Sequence, residues 1–210
     1  MIELIKVKGN DGIDFQIGKF PITRKEWAEV FPESKDMEFG DWSQKPNRPV
    51  TYVLWFDAIK FCNELSRKEY YEPYYIIENN EVTINHNSNG YRLPTEVEWL
   101  FAAKGGLKGL EDSFKYSGSN DPDEVAWHAD NSKNRTHKVG KKKPNQLGIF
   151  DMSGNVWEWC WDLYESGSPY RVILGGSYCI YPVYLRSSPR YYGDPGYRNN
   201  GNGFRLACSI

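Results

Sequence analysis

The sequence predicts a single α+β domain of short strands and two longer helices, and three observations carry that reading. Trp157-Glu-Trp-Cys-Trp161 sets indoles at alternate positions, the period of an extended strand, with Glu158, Cys160 and Asp162 on the opposite face. Two capping-box patterns, Thr23 to Glu26 and Thr95 to Glu98, each precede apolar residues at helical spacing. No linker composition or internal repeat divides the 210 residues into two domains.

In chain order, residues 1 to 22 alternate and carry Gly9, Gly12 and Gly18, which predicts short strands joined by turns, with Phe15, Ile17 and Phe20 facing inward. The first box opens a helix of about two turns through Trp27, Val30 and Phe31. Gly40 to Pro49 reads as a loop. Ala58, Phe61, Cys62 and Leu65 fall at i, i+3, i+4 and i+7, so Trp55 to Leu65 is an amphipathic helix with Cys62 turned inward as a small, inert core group. Two β-prone runs around Asn79-Asn80 predict a hairpin over Glu72 to Ile84. The second box opens a helix through Trp99, Ala102 and Ala103 that stops at Gly105-Gly106. Gly105 to Asn145 is polar and rich in Gly, Asn and Lys, and predicts a long irregular segment.

A net charge of -2 and a pI near 6.0 offer no whole-molecule attraction to nucleic acid or an anionic membrane. Lys141 to Lys143 is a solvated loop. No apolar run approaches the roughly 20 residues of a spanning helix, so no membrane insertion by this domain is expected. Met1 to Lys6 is too charged and short for a secretory signal. The four cysteines lack C-x-x-C spacing and are expected as free thiols, with no zinc or redox motif.

Two stretches suggest binding chemistry. Asp151-Met-Ser-Gly-Asn155 is a turn whose carboxylate, amide and carbonyls suit a hard cation. Tyr178 to Gly203 holds six Tyr, four Gly and three Asn in 26 residues, a composition in which rigid amphipathic rings and adaptable polar groups make contact surfaces. Lys, Glu, Gln, Met and Trp supply 46 of the 210 residues, so at that rate the stretch should hold roughly five or six of them. It holds none.

The order of blocks resembles the formylglycine-generating-enzyme/sulfatase-modifying-factor domain, a C-type-lectin-like α+β fold. The blocks are Ile17 to Thr23, Pro49 to Leu65, Tyr91-Arg-Leu-Pro-Thr-Glu-Val-Glu-Trp99, Gly148 to Trp159, Gly175-Gly-Ser-Tyr178 and Gly203-Phe-Arg205. The resemblance implies a structural Ca2+ held by Asp151, Ser153, Gly154 and Val156, with a second site, matched only loosely, beginning at Asn131. The family's oxidase branch binds Cu(I) through two cysteines after Gly-Gly-Ser-Tyr. Here Cys179 stands alone between Gly175 and Arg205, which implies no catalytic residue of that kind. His86, His128 and His137 do not match the histidine cluster of the iron-dependent branch.

The C-terminal stretch is also similar to variable proteins of diversity-generating retroelements, of the Treponema type, which reuse this fold. Those proteins place varied codons between G-G-S-W and G-F-R, and the five missing residue types are among those that randomised adenines of an Asn codon cannot encode. Gly175-Gly-Ser177, Arg186-Ser187, Arg190, Pro195, Arg198 and Gly203-Phe-Arg205 match the fixed frame, with Tyr178 in place of the usual Trp. The similarity implies a contact surface of Tyr178, Cys179, Tyr181, Val183, Tyr184, Tyr191, Tyr192, Asp194, Tyr197, Asn199, Asn200 and Asn202. The expected protein is a monomeric, non-enzymatic module that binds a protein or cell-surface ligand. Its expected place is the bacterial cell surface, through an anchor or signal outside this chain. The alternative is an oxidase acting on a sulfatase cysteine. Sugar binding would rest on the name of the fold alone.

Overall fold

Thr23 and Thr95 each begin a helix through the same reciprocal pair of hydrogen bonds. The structure is a computed structural model that describes residues 2–9, 12, 14–36, 45–79, 81–187 and 190–209. In it the Glu26 N–H donates to the Thr23 hydroxyl (3.3 Å) and the Thr23 N–H to the Glu26 carboxylate (2.8 Å), opening α1 (Arg24–Val30). Glu98 and Thr95 repeat the arrangement at 3.2 and 2.8 Å, opening α3 (Glu96–Ala103). Between them α2 (Trp55–Lys68) buries Trp55, Ala58, Phe61, Cys62 and Leu65 along one face. Burial holds the Cys62 thiol well above its ordinary range, so it is inert as expected.

β1 (Leu4–Val7), β2 (Phe15–Gly18) and β9 (Ala207–Ser209) form an antiparallel sheet in the order β1-β2-β9. Phe15 and Ile17 are buried; Phe20 lies beyond β2, half-buried, its ring 5.2 Å from that of Phe150. The expected hairpin is β3 (Tyr75–Glu78) paired with β4 (Glu81–Ile84), with Asn79 left-handed at φ 49°. Residue 80 of its turn, and residues 40–44 of the loop expected from Gly40, lie outside the described residues. The segment from Gly105 to Asn145 is less irregular than expected: it contains the one-turn helices α4 (Gly106–Gly109) and α5 (Pro122–Val125). Four residues are too few to show a period, and α5 is set by Asp121, whose carboxylate accepts from the Asp123 N–H at 2.9 Å.

The central sheet contains β5 (Trp157–Leu163), β6 (Arg171–Leu174), β7 (Tyr191–Gly193) and β8 (Asn202–Gly203), in the order β7-β6-β5-β8, with only the β5–β8 pairing parallel. Alternation along β5 turns the three indoles toward α2, where Trp159 is fully buried and its indole N–H donates to Val53 O at 3.0 Å. Trp157 and Trp161 are only half-buried, so the indole face is not uniformly core. Nor is the opposite face open: Glu158 and Cys160 are fully buried on the side of α3.

Glu158 lies in the middle of that core and is bidentately paired. Arg205 Nε and Nη2 donate to its two oxygens at 2.6 and 2.7 Å, and the Trp99 indole N–H donates to it at 2.7 Å. The remaining guanidinium bonds reach Gly18 O (2.8 Å) and Phe150 O (3.0 Å). One ion pair thus ties β2, β5, α3, the chain before β9 and the loop before β5 together. Burial of a pair costs heavily and is offset only by such complete hydrogen bonding.

Two predictions concern these carboxylates. Replacing one partner, by Arg205→Met or Glu158→Gln, should cost about 3–5 kcal/mol in urea unfolding, and the double replacement by Met should recover part of that. The second involves Glu98, whose carboxylate takes two bonds of 2.6 Å from Arg92. Burial pushes its pKa up, but the hydrogen bonds and charge of Arg92 outweigh it and hold the carboxyl below its ordinary 4.5. Its contribution is therefore complete above the unfolded-chain value and lost as pH falls through the lower folded value. Glu98→Gln should flatten the acid limb of the stability curve below pH 4.5; urea titrations across that range measure the slope.

Candidate ligand-binding site

At one end of the central sheet the strands leave a cleft of about 300 Å³. Trp157, Ile173 and Asn202 line it from β5, β6 and β8; Ser177, Cys179 and Ile180 from the chain after β6; Tyr192 to Asp194, Tyr197, Asn199 and Asn200 from β7 and the loop beyond it. Gly193 lets β7 lie on the core here, since a Cβ would sit 2.4 Å from the Trp159 ring. The loop after β7 is shaped by its own polar side chains. Asp194 Oδ1 accepts from the Gly196 N–H (2.8 Å) and Asn199 Oδ1 from the Gly201 N–H (2.7 Å).

A clasp from outside the C-terminal stretch holds that loop. The Arg198 guanidinium pairs with Asp57 at 2.8 Å and donates to Tyr52 O, while the Tyr52 N–H donates to Asn199 O at 3.1 Å. Asp57 also accepts from the Leu54 N–H at the start of α2. Tyr52 adopts φ 59°, a left-handed conformation unusual for a bulky residue, and its ring remains 38% exposed beside the cleft.

Of the twelve surface candidates, Tyr178 and Asn202 are buried and Tyr191 is half-buried; the side chains of the other nine are exposed. Tyr178 is framework: its N–H donates to Asn155 O (3.0 Å) and its carbonyl accepts from the Ser132 hydroxyl (2.7 Å). Burial, then the neighbouring Cys179 and Tyr52, push its phenol up. Tyr191 packs between Trp157 (4.8 Å) and Tyr184 (6.2 Å). Sequence reasoning missed Trp157, Ile173 and Ile180 as cleft residues, and also Tyr164 and Tyr170, whose rings lie 5.2 and 5.0 Å from Tyr192. The aromatic excess of the whole chain was the signal for the tyrosines; Tyr52 had none.

The thiols are free, and Cys179 is the exposed one, its Sγ 3.4 Å from the Ser177 hydroxyl. His128 is buried against Asp123 at 3.0 Å, and His137 stacks on Trp127 at 3.8 Å. Asn131 is spent on Asp123, Ala126 O and the His128 N–H.

Several polar groups of the turn before β5 are paired within the protein. The Asp151 carboxylate accepts from the Gly140 N–H (2.8 Å) and the Asn155 amide (3.2 Å), and burial pushes its pKa up to about 6. The Ser153 hydroxyl donates to Leu185 O and accepts from the Ser117 N–H, and Gly154 O accepts from the Val156 N–H. A cation held by Asp151, Ser153, Gly154 and Val156 would compete with these bonds at the Asp151 carboxylate, the Ser153 hydroxyl and Gly154 O.

The chain belongs to the sulfatase-modifying factor enzyme 1-like family, whose domain model matches residues 9–210. The chaperone protein LppX of Paenibacillus barcinonensis is 41% identical over 201 residues, which span 79% of this chain and 69% of LppX. The formylglycine-generating enzyme of Streptomyces coelicolor is 28% identical across 80% of this chain, which spans 55% of the enzyme's length. Among solved structures, Treponema denticola variable protein 1 is 31% identical with a TM-score of 0.81, over 100% of this chain and 93% of that one. The expected resemblance to a variable protein on this α+β, C-type-lectin-like fold therefore holds across the whole chain.

Calcium gives this site a direct test. Thermal melts with and without a few millimolar calcium should coincide within about 1 °C, because an ion bound to the folded state alone would raise stability by RT ln(1 + [L]/Kd). A calcium-dependent rise would mean that the turn rearranges around the ion.

Proposed function

We propose that this protein is a non-enzymatic ligand-binding module of the retroelement-diversified type, which displays a Tyr-rich C-terminal surface on a rigid scaffold. The observation that carries the reading is the arrangement of the C-terminal stretch. Nine of its twelve candidate contact residues, Cys179, Tyr181, Val183, Tyr184, Tyr192, Asp194, Tyr197, Asn199 and Asn200, expose their side chains, while Tyr178 and Asn202 of that set are buried with Gly203, Phe204 and Arg205 of the frame, and Tyr191 is half-buried. Variation at exposed positions leaves the core untouched, and Tyr supplies contact area at low entropy cost.

Further support comes from the relatives. The similarity to Treponema denticola variable protein 1 runs the full length of the chain, and LppX bears the name of a chaperone protein. The ligand on this reading is a protein or cell-surface molecule, bound by a monomer. The similarity to the formylglycine-generating enzyme keeps oxidation as the competing reading, and the lone Cys179 in place of a cysteine pair argues against it, because a thiolate Cu(I) centre of that kind needs both.

Stability and binding separate in the expected outcome. Tyr184→Ser, Tyr192→Ser and Tyr197→Ser should each change stability by about 0.5 kcal/mol or less yet remove up to about 2 kcal/mol of ligand binding where the ring is a hot spot. Trp159→Ala should cost about 3–5 kcal/mol by opening a core cavity. Thermal melts compare the two sets, and the reading fails if the tyrosine exchanges unfold the domain as Trp159→Ala does. A Cu(I) titration tests the competitor: binding of one ion through Cys179, with oxidation of a cysteine-containing sulfatase peptide, would establish the oxidase instead. At the gene level, a neighbouring reverse transcriptase and a near copy of the C-terminal coding stretch differing at adenines would identify the diversification.

A further inference from the structure

The chemistry of the cleft is one-sided. Its apolar walls include the rings of Trp157, Tyr192 and Tyr197, its single charge is the Asp194 carboxylate, and its remaining polar groups include the amides of Asn199 and Asn200. No described Lys or Arg side chain lines it. Arg198, the nearest basic residue in the loop, is turned away to Asp57 and Tyr52 O. Asp194 spends Oδ1 on the Gly196 N–H, and Oδ2 has no hydrogen bond among the described residues.

Aromatic faces carry negative charge at their centres and attract a cation placed over them, most strongly when it is partly removed from water. A carboxylate at the same rim adds Coulomb attraction and a hydrogen-bond acceptor pair. A guanidinium suits both, being flat enough to stack on a ring while its edge donates to the carboxylate. The protein already uses this stacking elsewhere, where Arg171 lies 3.9 Å over the Trp55 ring and Arg190 4.7 Å over that of Tyr164. A volume of about 300 Å³ is at the bottom of the range for small-molecule sites, which suits one side chain. Exposed Tyr170, whose ring packs on that of Tyr192, provides the kind of surface that surrounds an anchor residue in a protein interface.

We infer that the cleft is an anchor pocket for an arginine side chain presented by a polypeptide partner, with Trp157, Tyr192 and Tyr197 stacking on the guanidinium and Asp194 pairing with it. This rests on the binding-module reading and specifies the chemical class of its ligand.

N-acetyl-arginine amide and its neutral isostere N-acetyl-citrulline amide are the probes, titrated against the full chain while the Trp157 indole N–H shift is followed, its signal assigned by Trp157→Phe. The arginine derivative should bind about fivefold tighter than the citrulline one, the ratio that corresponds to roughly 1 kcal/mol. Asp194→Asn keeps the Oδ1 acceptor for Gly196 and Tyr197→Leu keeps an apolar wall, so both should fold with unchanged melts. Each should abolish the preference. Equal binding of the two probes, no saturable shift with either, or a preference that survives in either variant overturns the inference. The tyrosine-to-serine melts do not depend on the probe's charge, so the binding-module reading would then stand or fall separately.

Discussion

The buried Glu158–Arg205 pair is the constraint around which the rest of the structure is arranged. An ion pair in a core is tolerated only when its remaining hydrogen-bonding capacity is met, and here Trp99, Gly18 O and Phe150 O meet it from three separate segments. The demand works in both directions. It brings the chain before β9 against β5, and it fixes where β2 and the loop before β5 must end. The start of β8 and the end of the Tyr-rich stretch follow, because Gly203 and Arg205 are two residues apart.

That placement makes the C-terminal stretch a bridge between fixed piers. At one end Gly175 and Gly176 hold left-handed φ angles of 92° and 78°; at the other, Gly203 pairs with Glu158 in β8. Between them the chain lines the cleft at the end of the sheet, and the clasp of Arg198 to Asp57 and Tyr52 holds it close to its Gly203 end. The exposed side chains on such a bridge can vary without cost to the core, provided that its glycines, arginines and buried residues such as Tyr178, Leu185 and Asn202 stay. A binding surface can therefore be rigid in backbone and free in sequence, which is what diversification requires.

Rigidity also bears on affinity. On the proposed reading, a preformed cleft with its loop already held by Asx turns would lose little conformational freedom on binding, so more of the contact energy would appear as affinity. The left-handed Tyr52 fits the same picture, as a strained residue kept where the clasp needs its backbone groups.

Local chemistry was legible in the sequence wherever neighbours in the chain decide the outcome. The capping boxes of Thr23 and Thr95, the Ala58-Phe61-Cys62-Leu65 face and the Asn79 turn all arise within a few residues, and the structure shows each. The composition of Tyr178 to Gly203 marked the candidate surface, because Tyr, Gly and Asn are residue types that suit contact surfaces whatever their partners. Tertiary structure alone decided that Glu158, expected opposite the indoles, faces a second core and not solvent, because its partner Arg205 lies 47 residues away. It also decided that Trp157 reaches a cleft, that Tyr178 and Asn202 are buried, and that the Tyr52 backbone holds the loop of Arg198 and Asn199. Each depends on a contact between segments far apart in the chain, and side-chain periodicity, which reports only the direction a residue faces, carries no information about what will be brought against it.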